Sequence, residues 1–243
     1  MNEPGHSIRE ILESQISRAN ELYSELESEV KKDIGNSRVS LRTSEITEEI
    51  SVKLRICLDK GINQYRNLKK QPINKMLAFP ICRDEKKFQD TLNTYGLSDI
   101  EKTDPNLFAL LHDVQPFVSN EFAELTELDE QGSKRKHRDL SLQEKEIVGE
   151  RKTFSNNSGY AVSWQNSASC SVTFGPGVSI LGVQINPKTQ NPDIVPSTHS
   201  LKIEHMVSVK FHGNNVDVLQ FCRRSINKVQ KITYQIIKMS EEV

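Results

Sequence analysis

The 243-residue chain predicts an α+β protein, with an N-terminal helical bundle, a small C-terminal antiparallel sheet and a closing helix. Three observations carry that prediction. Apolar residues recur at helical spacing as far as about Leu140. From about Tyr160 to Phe211 the pattern becomes alternating and β-branched, and seven of the eleven glycines lie beyond residue 130. From Val218 onward the helical spacing returns. The expected division is a helical portion over 1–140 and a sheet with its closing helix over 141–243, packed as one compound domain.

The first helix carries Leu12, Ile16, Ala19, Tyr23, Leu26 and Val30, a heptad-type stripe that ends near Gly35-Asn36. Such a stripe needs a helical partner, either inside the fold or in a second copy. A second helix presents Ile46, Ile50, Leu54, Cys57, Leu58, Ile62, Tyr65 and Leu68, and stops before Pro72, so the two can form an antiparallel hairpin. Phe79-Pro80-Ile81 reads as extended. A helix from about Asp84 to Tyr95 is stopped by Gly96, and Ser98 and Asp104 are candidate N-caps, with Pro105 at the first helical position. The helix through Phe108 and Leu111 should end at Pro116, and Ser119 or Asn120 opens another through Phe122, Leu125 and Leu128.

From Gln131 to Lys152 the chain is hydrophilic and holds the basic run Lys134-Arg135-Lys136-His137-Arg138, which reads as a solvated loop or helix end. Strands are expected at Tyr160 to Trp164, Ser169 to Phe174 and Val178 to Ile185, the last two joined by a turn at Gly175-Pro176-Gly177. Leu201, Ile203, Val207, Val209 and Phe211 alternate along a further strand with one buried face, and Trp164 is expected in the sheet core. The closing helix turns Val218, Leu219, Cys222, Ile226, Val229, Ile232 and Ile236 inward and Arg223, Arg224, Lys228, Lys231 and Lys238 outward.

Composition excludes several classes of function. With 35% hydrophobic and 27% charged residues and no run of about 18 apolar residues, the chain reads as folded, soluble and cytoplasmic, without secretory signal or membrane span. Cys57, Cys82, Cys170 and Cys222 are scattered, with no CxxC pair and no histidine at ligand spacing, so buried free thiols are expected and neither metal nor cofactor. No phosphate-binding glycine loop, nucleophile elbow or zinc-hydrolase helix motif occurs, and His6, His112 and His199 read as surface or capping residues. A net charge of −1 excludes a simple coat for nucleic acid. The charge is uneven, since residues 1–150 carry −6 and residues 151–243 carry +5, which suits two contacting lobes.

One ordered set of segments resembles a known family. Leu54-Arg55-Ile56-Cys57-Leu58-Asp59, Phe79-Pro80-Ile81, Val114-Gln115-Pro116-Phe117 and Leu125-Thr126-Glu127-Leu128 before Lys136-His137-Arg138 resemble the LRxxLD, FPI, LQPY and LNxxDKHR elements of an uncharacterised bacterial family. The likeness runs over roughly residues 45–140, with a looser echo in the C-terminal helix. Where those relatives carry Asn-x-x-Asp, this chain has Asp129 to Arg135, lengthened and without the aspartate. The arrangement is similar in turn to the HEPN superfamily, whose members include metal-independent RNases and non-catalytic binding modules. Its nuclease signature is missing, because no histidine here has an arginine five to seven positions upstream.

Arg55 and Asp59 stand four apart on one helix face, at the border of the apolar stripe. Two readings follow. In one, the pair joins the Lys-His-Arg segment as a structural polar lock. In the other, His137 transfers the proton, Asp59 orients its ring, and Arg55 with Arg138 holds a phosphate or other anion, the combination that cleavage of RNA through the 2′-hydroxyl would need. Lys134, Arg135, Lys136, Arg223 and Arg224 are candidate anion contacts, although aromatics for base stacking are sparse around the closing helix. The resemblance and the residues together imply an interaction or accessory module of bacterial type, with a defence or stress-response setting implied by the resemblance alone. The alternative is a metal-independent RNase. The expected partner is another protein or a second copy through the helical surface, with RNA as the other class and no membrane.

Overall fold

The structure, a computed structural model, describes residues 7–35, 38–70, 77–134, 143–167, 170–212 and 216–242. It is α+β, as the patterning predicts. The helices are α1 (Ile8–Gly35), α2 (Leu41–Leu68), α3 (Glu85–Thr94), α4 (Ile100–Thr103), α5 (Pro105–Asp113), α6 (Glu124–Lys134) and α7 (Val218–Glu241). The strands are β1 (Gln143–Asn156), β2 (Ala161–Ser167), β3 (Ser179–Ile180), β4 (Val183–Gln184) and β5 (His199–Phe211). Among the described residues, no helix is long and apolar enough to cross a membrane.

The chain divides into two compact units, Met1–Glu144 with Lys210–Val243, and Lys145–Val209. The closing helix therefore belongs with the N-terminal helices, not with a C-terminal 141–243 portion. The reason is apolar: α7 buries Val218, Cys222, Ile226, Val229, Ile232 and Ile236 along one face, and it packs on α1 and α2.

In the helical unit, α1 opens with a reciprocal capping box, in which Ser7 N donates to Glu10 Oε2 at 2.8 Å and Glu10 N donates to Ser7 Oγ at 3.2 Å. The whole stripe Leu12, Ile16, Ala19, Tyr23, Leu26 and Val30 is buried by helices of the same chain. That removes a coiled-coil dimer through residues 12–30. Buried Asp33 near the end of α1 accepts from Ser40 N, Ser40 Oγ and Thr43 Oγ1, the last at 2.6 Å. Ser40 in turn caps α2 by accepting from Thr43 N, so one carboxylate fixes the α1–α2 corner and starts α2 five residues before its apolar stripe. Asp104, not Ser98, caps a helix, accepting from Leu107 N at the start of α5 while Tyr65 Oη donates to its Oδ2 at 3.1 Å.

In the smaller unit the sheet order is β2-β1-β5, and β1 pairs antiparallel with β2 so that Lys152 lies opposite Trp164 and Phe154 opposite Val162. Phe154, Trp164, Ile180 and Ile185 make its core, with Val172, Phe174 and Leu201 packed around them. Trp164 is in that core, as its pattern predicts, with the Phe174 ring edge-on at 5.3 Å. Three expectations fail here. The hydrophilic stretch before Lys152 contains the start of β1, a 14-residue strand. Residues around Val172 and Phe174 fill the core without forming a strand, apart from a bridge between Asn166 and Ser171. The hairpin lies between β3 and β4 at Leu181-Gly182, both with positive φ, and not at Gly175-Pro176-Gly177.

Candidate functional site: the Arg55 cluster

Arg55 and Asp59 project from α2 one turn apart, with Arg55 Nε 3.6 Å from Asp59 Oδ1. A third group completes the cluster. Arg55 Nη1 is buried and lies 3.3 Å from Oδ1 of Asp129 on α6, so the guanidinium is held between two carboxylates on two helices. Close approach of α6 makes this possible: a Cβ on Gly132 would sit 3.4 Å from Arg55 Cβ. The glycine in the lengthened segment thus seats α6 against the aliphatic stem of Arg55.

The same face of α2 grips the extended segment that follows it. Asp59 Oδ1 accepts from Phe79 N at 2.6 Å. Asn63, one turn further on, accepts from Leu77 N through Oδ1 at 2.9 Å and donates to Leu77 O through Nδ2 at 2.6 Å. On the other side, Gln115 is fully buried, donates through Nε2 to Pro80 O at 2.9 Å and accepts from Cys82 N through Oε1 at 2.8 Å. Three side chains therefore satisfy the backbone of a strand-like segment that pairs with no strand among the described residues. Buried peptide groups left unpaired would cost about 1 to 3 kcal/mol each. Asp59, Phe79-Pro80-Ile81 and Gln115, the letters of the family-like motifs, are parts of one clasp.

Electrostatically the cluster is not a cationic site. Burial raises Asp129 above its usual carboxylate range, Arg55 pulls it back, and neighbouring Glu130 pushes it further up. Burial also raises the Tyr95 phenol, which lies within reach of the charges of Arg55, Asp59 and Asp129, and it raises the Cys82 thiol. Tyr95 also lines a cleft of about 1100 Å³ whose charges balance, Arg66 and Lys69 against Asp99 and Asp104.

The other candidates are distributed as follows. Arg135, Lys136, His137 and Arg138 fall outside the described residues, and Lys134 ends α6 with its side chain outside them as well. Arg223 lies over the Tyr23 ring at 4.4 Å and 3.6 Å from Glu27, and Arg224 is 3.4 Å from Glu124. Lys228 and Lys231 both reach Glu121 and flank the Phe122 ring, so the basic face of α7 docks acidic residues of the N-terminal half. His112 is stacked on Phe108 between Phe88 and Phe117, with Glu85 and Asp113 at its ring nitrogens. Among the described residues, no group of three metal-ligating side chains converges.

The sequence pattern placed Arg55 and Asp59 together but did not find Asp129, Asn63 or Gln115 as their companions. Asn63 was in principle readable, four residues after Asp59 on the same helix face. Asp129 was not, because its partner is more than seventy residues away. Comparison with protein-family models, with curated proteins and with solved structures gives no match.

Proposed function

We propose that this protein is a non-catalytic interaction module, in which the Arg55 cluster braces the helical unit and the sheet unit offers the contact surface. One observation carries the reading: within the described residues, Arg55 is shared by Asp59 and Asp129, so the cluster has no surplus positive charge for an RNA phosphate. Asp59, which would have to orient a catalytic histidine, already accepts the Phe79 N–H. A contact role for the sheet unit is supported by its surface. Tyr160, Val162, Ile194, Val195, Ile147 and Ile203 are exposed there, more large apolar side chains than the bigger helical unit exposes among the described residues. The resemblance to a bacterial, HEPN-like family is compatible with this role, since that superfamily includes binding modules.

The test is incubation of wild-type protein, an Arg55→Ala variant and a His137→Ala variant with total RNA and defined tRNA in EDTA. Intact RNA in all three is expected. Cleavage by the wild type that disappears in both folded variants would instead establish the metal-independent RNase.

A further inference from the structure

We propose that the outer edge of β5 pairs with the same edge of a second copy of this chain, antiparallel and two-fold symmetric about Ile203. The proposal rests on the interaction-module reading and names the partner of its sheet unit.

In the order β2-β1-β5, β1 is central and β5 is an edge. Edge strands expose a row of N–H and C=O groups, and natural proteins blunt them by shortness, proline, charged side chains or a covering segment. β5 is long, 13 residues, and contains no proline. Among the described residues, no backbone group of Ser200 to Met206 bonds outside the sheet. Exposure agrees: Ile203 is 46% exposed, and the side chains of Lys202 and Glu204 are 70% and 45% exposed.

Charge identifies the occupant. A two-fold antiparallel pair centred on Ile203 sets residue 202 of one copy opposite residue 204 of the other, twice. Lys202 then faces Glu204 on both sides of the axis, and the two Ile203 side chains meet on one sheet face. Within the separate chain Lys202 Nζ lies 2.6 Å from Glu204 Oε1, and the charge of Arg151 also acts on the Glu204 carboxylate. Shifting the centre by one residue either way sets Lys202 against Lys202 or Glu204 against Glu204, so the register is specified by repulsion as well as attraction. The two three-stranded sheets would become one six-stranded sheet in which both β5 edges are closed.

The experiment is sedimentation equilibrium of the full chain from low micromolar to submillimolar concentration, for the wild type, Lys202→Glu, Glu204→Lys, the double reversal, and a mixture of the two single variants. The wild type should be a reversible dimer. Each single reversal sets two like-charged pairs across the axis and should raise Kd about tenfold. The double reversal should restore the dimer. The mixture should form a one-to-one heterodimer, because the Lys202→Glu copy presents two acidic side chains at these positions and the Glu204→Lys copy presents two basic ones. A wild type that stays monomeric throughout, or a dimer that ignores the reversals, overturns the strand pairing. Neither result touches the non-catalytic reading, which the RNA assay decides separately.

Discussion

Replacing Gln115 by alanine removes one side of the clasp around Phe79-Pro80-Ile81. Gln115 is inaccessible to solvent, and its amide is the partner of both Cys82 N–H and Pro80 C=O. Alanine leaves that N–H and that carbonyl without the amide, at about 1 to 3 kcal/mol, and opens a cavity worth about 1 to 2 kcal/mol more. A loss near 3 kcal/mol is expected, which for a chain of this size lowers Tm by about 6 to 12 °C. Gln115→Met keeps the volume and loses only the hydrogen bonds, so it should recover about 1 to 2 kcal/mol of that loss. Urea denaturation followed by circular dichroism measures both. If Gln115→Ala unfolds within about 0.5 kcal/mol of the wild type, the extended segment is held by something other than the clasp.

Two further predictions concern ionisable groups. The folded-state affinity of Asp129 for its proton is raised, chiefly by burial, above its ordinary value of 3.8, so its contribution to stability is present below that value and is lost as pH rises through the raised one. Asp129→Asn should therefore gain on the wild type as pH rises from the acid side towards neutrality in paired denaturation curves, and a difference that shrinks with rising pH would contradict the assignment. Burial pushes the Cys57 thiol up to about 11 and raises Cys82 and Cys222 as well, whereas Cys170 is exposed. A thiol reagent should label one cysteine in the native protein, and Cys170→Ser should abolish labelling until denaturant is added. Rapid native labelling of the Cys170→Ser variant would show that the helical core opens readily.

The helical elements were legible because burial follows a 3.6-residue period: every residue of the Leu12 to Val30 stripe is in the core. Strand β1 was not, because its buried positions are few and one of them is Lys152, whose Nζ donates to Asn191 Oδ1 at 2.7 Å. A lysine at a core position breaks the apolar alternation from which strands are read. The hairpin at Leu181-Gly182 was hidden for a related reason, since Leu181 takes a positive φ of 51° that no turn preference for leucine announces. Val172 and Phe174 look like strand residues and serve the core from irregular backbone, so tertiary packing overrides their β preference. In the site, the spacing of Arg55 and Asp59 is a local fact of one helix. Asp129, Gln115 and α7 reach their places through contacts far apart in the chain, and a single sequence carries no local signal for those.

Arg55 is the brace between two helices, and a double-mutant cycle on Arg55→Met and Asp129→Asn measures that directly. Arg55→Met alone should be destabilising by about 2 kcal/mol, because it leaves two partly buried carboxylates without the guanidinium they share. Asp129→Asn should cost little in the wild type and should stabilise the Arg55→Met protein, giving a coupling of at least about 1 kcal/mol at neutral pH. Losses that add within about 0.3 kcal/mol would mean that the two helices are not joined through this pair, and the brace would be refuted.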